Sequence, residues 1–273
     1  MSIIPFLAAD ESREAVASKP FPAAKVSDVY VSIVVPTWNG GARLPETLRS
    51  IEEFAQRQPF VVERIVIDDC SESATQQVLA AWHDHDASLR IARNDRNRGK
   101  GFSVARGMSL AHGHYRVFLD ADLAYPATEI SKIVAALERG ADVAIAARTH
   151  PDSRYVMSPA FFHYLYTRHL MSRIFNWMVR LILLPGIRDT QAGLKGFTAR
   201  AADEIFPQLS IPRFGFDLEC LFIARRRGLV IDQTPVNFRY DNEPSTVHFV
   251  RDVVAMLRDI ATVRWRGWRG RYG

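Results

Sequence analysis

The sequence predicts an α/β fold: a mostly parallel sheet flanked by helices on both faces. Three observations carry this. Short apolar, β-branched runs alternate with amphipathic helical runs from residue 29 to residue 147, the pattern of successive βαβ units. Three of the apolar runs end in polar groups, Thr37/Asn39, Asp68/Asp69 and Asp120/Asp122, and parallel sheets take their ligands at the carboxyl ends of strands. No stretch reaches the 18 or more uncharged apolar residues of a membrane span.

In chain order, residues 1–28 hold Pro5, Pro20 and Pro22 and read as a loosely ordered arm. Val29–Val35 is an apolar strand closed by Pro36. Leu44, Leu48, Ile51 and Ala55 give Leu44–Gln56 helical spacing. Val61–Ile67 is the second strand, and Thr75–Trp82 the second helix, capped by Ser71 or Ser73. Leu89–Ala92, Tyr115–Leu119 and Val143–Ala147 complete the strands of this half, separated by helices over Gly101–His112 and Glu129–Arg139. Beyond them lie a long apolar helical stretch, Phe161–Leu184, a short strand at Gly193–Phe197, helices over Ala199–Phe206 and Phe216–Arg227, a strand within Leu229–Tyr240 and a final amphipathic helix, Thr246–Arg264. The expected organisation is the arm, one α/β domain over 29–240 that includes 161–184, and a helical, basic, aromatic tail over 241–273.

Composition narrows the class. Of the net charge of +5, the last ten residues supply four Arg and no acid, so the rest of the chain sums to +1. A nearly neutral body with a basic tail lacks the broad basic face of a nucleic-acid binder. Two distant cysteines, Cys70 and Cys220, suit a reducing cytosol.

Four constellations carry chemistry. Val34–Asn39 makes a ledge on which a planar base can stack over Trp38, worth ~1–3 kcal/mol; a Trp packed in the core is the competing reading. Asp68 and Asp69 point to opposite sides, so one can accept from a base or ribose while the other caps a helix. The Asn97-Arg-Gly-Lys-Gly101 loop places Lys100 between glycines ahead of a helix, a setting for an anion. It matches neither the P-loop nor the G-x-G-x-x-G spacing. Asp120 and Asp122, at i and i+2 of an extended end, point the same way and offer hard oxygen ligands to Mg²⁺ or Mn²⁺; a polar turn is the alternative.

In order, spacing and strand context these pieces resemble the family 2 glycosyltransferases of the GT-A fold, whose pattern is V-V-P-x-Y-N, an acidic pair, D-x-D and a later Arg, here Arg148. Trp38 stands where Tyr is usual. Asn97–Gly101, Asp120–Leu123, Gly186–Phe197 and Phe216–Glu219 are similar to the polyprenyl-phosphate branch, that of the dolichyl-phosphate glucosyltransferases and dolichol-phosphate mannose synthases. The resemblance spans about residues 29–265.

The resemblance implies that Pro36, Trp38, Asn39, Ile67, Asp69 and Lys100 bind the nucleotide. Asp120 and Asp122 would hold Mg²⁺ or Mn²⁺ on the diphosphate, and Ala121 would line the sugar. Arg148 would contact donor phosphates or sugar, with Asp189 and Gln191 near the sugar or acceptor. Asp122, Asp189 and Arg148 form the expected catalytic set. Two departures are expected: no counterpart of the eukaryotic glucosyl enzyme's N-terminal span, and Asn242–Thr246 without Lys where the mannose synthase has its G-E-S-K loop, with Arg239 and Arg173 the candidates to meet an acceptor phosphate.

The implied reaction is inverting transfer of one sugar, glucose being favoured, from a UDP-sugar to a lipid phosphate. A hydroxyl acceptor would instead need a base, with Asp189 the candidate. A catalytically silent nucleotide-sugar-binding protein is the third reading, disfavoured by the intact Asp69, Asp120 and Asp122. His169, Arg173 and Arg180 form a thin basic stripe on the otherwise apolar 161–184 helix. With the Arg/Trp tail this suits peripheral contact on the cytoplasmic face of a membrane; a core helix or a homo-oligomer interface is the competing reading.

Overall fold

The computed structural model describes residues 28–86, 88–157, 179–213, 215–240 and 249–272. The N-terminal arm up to residue 27, residues 158–178 with His169 and Arg173, and the 242–246 loop lie outside the described residues.

Nine strands are present among the described residues: β1 Val29–Thr37, β2 Val61–Asp68, β3 Leu89–Arg93, β4 Tyr115–Leu119, β5 Val143–Ala146, β6 Arg154–Met157, β7 Leu194–Thr198, β8 Ile231–Thr234 and β9 Asn237–Tyr240. The helices are α1 Leu44–Gln56, α2 Ser73–His85, α3 Lys100–Leu110, α4 Ile130–Glu138, α5 Ala199–Ile205, α6 Phe216–Arg226 and α7 Phe249–Trp268. Seven strands form one sheet in the order β3-β2-β1-β4-β7-β5-β8. β7 runs antiparallel to both neighbours and the other pairs are parallel. β6 and β9 form a separate parallel pair.

Alternation along the strands divides the core between the two faces. Val34, Ile65, Ile67, Phe118 and Phe197 face Val104 and Met108 of α3 and Leu218 and Leu221 of α6. Val31, Ile33, Val35, Val66 and Leu119 face Leu48 and Ile51 of α1 and Ile130 and Ile133 of α4. Each such side chain, once buried, contributes ~1.5–3 kcal/mol.

The topology fixes where a ligand can sit. From β1 the chain winds outward through β2 to β3, then returns to β4 on the other side of β1. The β1/β4 boundary is therefore the switch point, where the connections diverge and leave a crevice at the strands' carboxyl ends.

Three element boundaries differ from the sequence expectation. β1 continues through Pro36, which pairs with Ile67 on β2 while pairing to β4 has already ended at Val34; a proline is tolerated where one side of the strand needs no N–H. Leu229–Tyr240 is two strands, because Pro235 separates β8 from β9 and sends them to different sheets. The last helix runs on through Gly267, where an added Cβ would stand 2.5 Å from the Phe222 ring, so the glycine serves close packing instead of a stop. No described helix is long and apolar enough to cross a membrane.

Candidate active site at the switch point

The loops that leave β1, β2 and β4 hold the non-glycine residues with left-handed backbone among those described: Asn39 (φ 52°), Cys70 (φ 61°) and Leu123 (φ 54°). Such conformations cost energy and persist where surrounding contacts over-determine them. Asn39 shows how. Its N–H donates to Ser71 Oγ (2.9 Å) and its Oδ1 accepts from the Glu72 N–H (2.8 Å), latching the β1 and β2 loops together. Ser71 is thus used in the latch, and α2 starts after Glu72 with no side-chain cap, contrary to the expected Ser71 or Ser73 cap. Trp38 is 56% exposed on the ledge and not in the core. Pro36 and Ile67 are buried beneath it.

Asp69, expected on the base or ribose, is bonded within the protein to the segment from Asn94 to Gly99. Its carboxylate is buried and accepts from Asn94 Nδ2 (2.7 Å), the Arg98 N–H (2.8 Å) and the Gly99 N–H (2.7 Å). These bonds wrap the 97–101 loop around one carboxylate and bring Gly99 to φ 95°. Asp68 accepts from the Ser71 N–H and pairs with Arg93.

The wrapped loop delivers Lys100 to Asp120. Lys100 Nζ lies 2.7 Å from Asp120 Oδ1 and 2.8 Å from Oδ2, not in the open helix N-terminus expected for an anion. Burial lowers the Lys100 pKa, but Asp120 and Asp217 outweigh it and keep the ammonium charged. The backbone of the D-x-D turn is held from the α1 side: Thr47 Oγ1 donates to the Ala121 carbonyl (2.8 Å) and Arg43 to the Asp122 carbonyl (3.3 Å). Burial and the neighbouring Asp120 charge push the Asp122 carboxyl up. Gly193, paired to Asp120 through its carbonyl, leaves the space Asp120 needs, since a Cβ there would stand 2.2 Å from Asp120 Oδ2.

Arg148 and Asp189 form a closed pair. Arg148 donates from Nε to Oδ2 (2.7 Å), from a terminal nitrogen to Oδ1 (2.9 Å) and from its backbone N–H to Oδ2 (3.1 Å). Burial alone would raise the Asp189 pKa, but the Arg148 charge and these bonds hold it below its ordinary value. A carboxylate held this way is a weaker proton acceptor than a free one. Gln191 is half-buried on the same segment. Arg239 is exposed on β9, whose backbone bonds to the Ala124 carbonyl (2.8 Å), placing it beside the turn after Asp122.

Sequence reading gave no role to Lys195, Asp217 or Tyr125. Lys195 is fully buried on β7, donating to the Ala192 carbonyl (2.7 Å) and paired with Asp217 at the start of α6. A Lys inside an apolar strand is itself a signal, because a buried ammonium requires a partner. Burial pushes the Asp217 carboxyl up against the pull of Lys195 and Lys100. Tyr125 is buried with no hydrogen-bond partner for its hydroxyl; burial, opposed by Arg148, raises its pKa, and Asp189, Asp120 and Asp122 add to the rise.

Among the described residues no group of three His, Cys, Asp or Glu converges as a metal cage. The Asp120/Asp122 pair fits a different arrangement, one or two carboxylates completed by water and substrate phosphates, which suits Mg²⁺. Asp120 Oδ1 is consistent with it: the atom is buried and receives no aligned hydrogen bond despite Lys100 nearby.

A mostly parallel sheet with a D-x-D turn at its switch point places two acids where such sheets take their ligands. The family model for glycosyl transferase family 2 matches residues 32–206. The chain is 32% identical over 260 residues to the dolichyl-phosphate beta-glucosyltransferase of Homo sapiens, covering 88% of this chain and 77% of that protein. Its identity to the protein of the same name from Drosophila melanogaster is 32% over 232 residues, covering 80% and 70%. The chain belongs to glycosyl transferase family 2. Among solved structures, glucosyl-3-phosphoglycerate synthase from Mycobacterium tuberculosis with UDP superposes with a TM-score of 0.60 at 19% identity, covering 96% of this chain and 86% of that one. The same enzyme with Mn²⁺, UDP-glucose and phosphoglyceric acid gives 0.57 at 19%, covering 90% and 80%. These structures share the GT-A fold.

Proposed function

We propose that this enzyme transfers glucose from UDP-glucose to a polyprenyl or dolichyl phosphate at the cytoplasmic face of a membrane, with inversion at the anomeric carbon. One observation supports the acceptor assignment: both oxygens of Asp189, the carboxylate expected to serve as a base, are bonded by Arg148 and its pKa is lowered, which weakens it as a base. A hydroxyl acceptor needs a base. A lipid monophosphate, with a second pKa near ~6, is already largely dianionic at pH 7 and needs only positioning. The relatives' name, dolichyl-phosphate beta-glucosyltransferase, supports the same acceptor and sugar, and the fold neighbour's complex with UDP-glucose and Mn²⁺ supports the donor and metal.

In this reading Trp38 stacks on the uracil, and Asp69 acts through the loop that it organises. Asp120 and Asp122 hold Mg²⁺ or Mn²⁺, which when bound neutralises charge on the leaving diphosphate. Ala121 and Gln191 border the sugar. Arg148, fixed in direction by Asp189, faces the diphosphate, and Arg239 meets the acceptor phosphate.

Membrane contact rests on α7. Leu257, Trp265 and Trp268 are exposed on it, with Leu181 and Ile182 exposed on the helical residues 179–182. A groove of about 610 Å³ runs between them, bordered by Arg226 and Arg264, and Arg269 lies 4.1 Å over the Trp265 ring. Exposed Trp and Leu rimmed by Arg suit an anionic lipid interface.

The test is a matrix of UDP-glucose, UDP-galactose and GDP-mannose against polyprenyl phosphate and the corresponding alcohol, in anionic vesicles. UDP-glucose with the phosphate is expected to give product. Transfer to the alcohol at equal rate would overturn the acceptor assignment. Trp268→Ser, at a position 84% exposed, is expected to weaken vesicle binding several-fold without lowering thermal stability; unchanged vesicle binding would remove α7 from the membrane contact.

A further inference from the structure

We propose that Lys100 is a built-in counter-ion of the metal-binding carboxylates, which a divalent cation must displace from Asp120, so that metal and donor diphosphate enter the site together. This rests on the reading that Asp120 and Asp122 hold the metal. The ammonium lies within 2.8 Å of both Asp120 oxygens, on the two atoms a cation would use. The local backbone holds it there. Gly99, immediately before it, is fixed at φ 95° and its N–H is anchored to Asp69 (2.7 Å). An added Cβ on Gly99 would stand 2.5 Å from the Pro212 carbonyl, so the turn is fitted to glycine. Beyond it, the Lys100 ammonium lies 5.9 Å and 5.8 Å from the ring centroids of Phe118 and Phe216, and only 19% of its side chain is exposed.

A divalent ion and an ammonium repel strongly when they share one carboxylate in a partly buried site. Of the other acids in electrostatic range of Lys100, Asp217 is already paired with Lys195 and Asp122 would be engaged by the same cation. A donor diphosphate changes this: it brings negative charge that the flexible lysine stem can follow. Metal alone is therefore opposed, and metal with diphosphate is favoured. By linkage, each raises the other's affinity by the same factor.

The experiment measures Mn²⁺ binding to the full chain by the paramagnetic resonance of free Mn²⁺, with and without UDP. The wild type is expected to bind Mn²⁺ weakly alone and about tenfold or more tightly with UDP. Lys100→Met is expected to bind Mn²⁺ alone about tenfold tighter than wild type and to gain less from UDP. Lys100→Arg, which keeps the charge, is expected to bind Mn²⁺ alone as weakly as wild type. Equal or weaker Mn²⁺ binding by a folded Lys100→Met overturns the proposal; circular dichroism establishes folding, and Lys100→Gln replaces Met should that variant unfold. Asp122→Asn tests the underlying assignment separately. Undiminished Mn²⁺ binding by Asp122→Asn overturns the metal reading, whereas loss there with an unchanged Lys100→Met overturns only the role of Lys100.

Discussion

Glu63 and Asp120 are carboxylates near opposite ends of one sheet, and the fold treats them differently. Glu63, at the amino end of β2, accepts from Ser32 Oγ (2.5 Å) and the His112 N–H (2.9 Å), contacts His112 Nδ1 (2.9 Å) and pairs with Arg90. Burial alone would raise its pKa, yet these bonds outweigh burial and hold it low. At the carboxyl end, Asp120 has one lysine and an oxygen without an aligned bond, and Asp122 is pushed up by burial and by Asp120. Both carboxylates make long-range contacts. What separates them is satisfaction. A carboxylate with all its bonds made stabilises the fold, while one left incomplete retains capacity for a ligand.

Satisfaction also divides the carboxyl edge itself. Asp69 and Asp189 sit among the site residues but are fully engaged, one with a loop and the other with Arg148. They position other groups. Asp120 is held by Lys100 and Asp122 by the Ala124 N–H, fewer bonds than Asp69 and Asp189 receive.

Substitutions can break this contrast. The largest expected effect is Asp122→Asn: transfer from UDP-glucose falls by about a thousandfold or more, with the unfolding midpoint held or raised, because a carboxylate disfavoured by burial has been removed. Near-normal transfer in a radiolabel assay would contradict the metal assignment.

Next in size is Arg148→Met, which leaves Asp189, 1% exposed, without its partner. Removing one member of such a pair costs about 3–5 kcal/mol, readable by urea denaturation. A midpoint equal to wild type would mean that the pair does not constrain the fold.

The smallest effect is expected for Glu63→Gln, a loss of about 1–3 kcal/mol with transfer activity unchanged. Its pH dependence has a definite sign. Because the folded pKa of Glu63 lies below the ordinary 4.5, its stabilisation is complete above pH 4.5 and is lost as pH falls through the lower folded value. The stability gap between variant and wild type is therefore full at pH 7 and narrows in acid. A gap that widens in acid, or a large loss of activity at neutral pH, would erase the distinction between the two ends of the sheet.

Much of the α/β half was legible because its strands are apolar, β-branched and buried on both faces, so each shows as a short hydrophobic run. β6, Arg154–Met157, has no such run: it pairs with β9 in a two-stranded sheet, with Tyr155 and Val156 exposed. Among the site residues the D-x-D spacing was legible, but the extended end expected for it is a turn: β4 stops at Leu119, and Ala121 and Asp122 lie in a turn in which the Ala124 N–H donates to Asp122 Oδ1 (3.0 Å). The hydrogen-bond partners of Asp69 and Asp189 were not legible. Their partners lie up to 30 and 41 positions away, and sequence spacing carries no information about which distant donor reaches a carboxylate first.

The sequence by itself determined the βα order, the polar strand ends and the D-x-D spacing, since all three follow from local periodicity and backbone geometry. The tertiary structure alone decided what each acid is bonded to. It brought Gly193 against Asp120, Lys100 onto its oxygens, Lys195 to Asp217 and Arg148 to Asp189. The physical reason is that the state of a buried carboxylate depends on every donor and charge within a few ångströms, and strand order, not sequence distance, sets who those neighbours are.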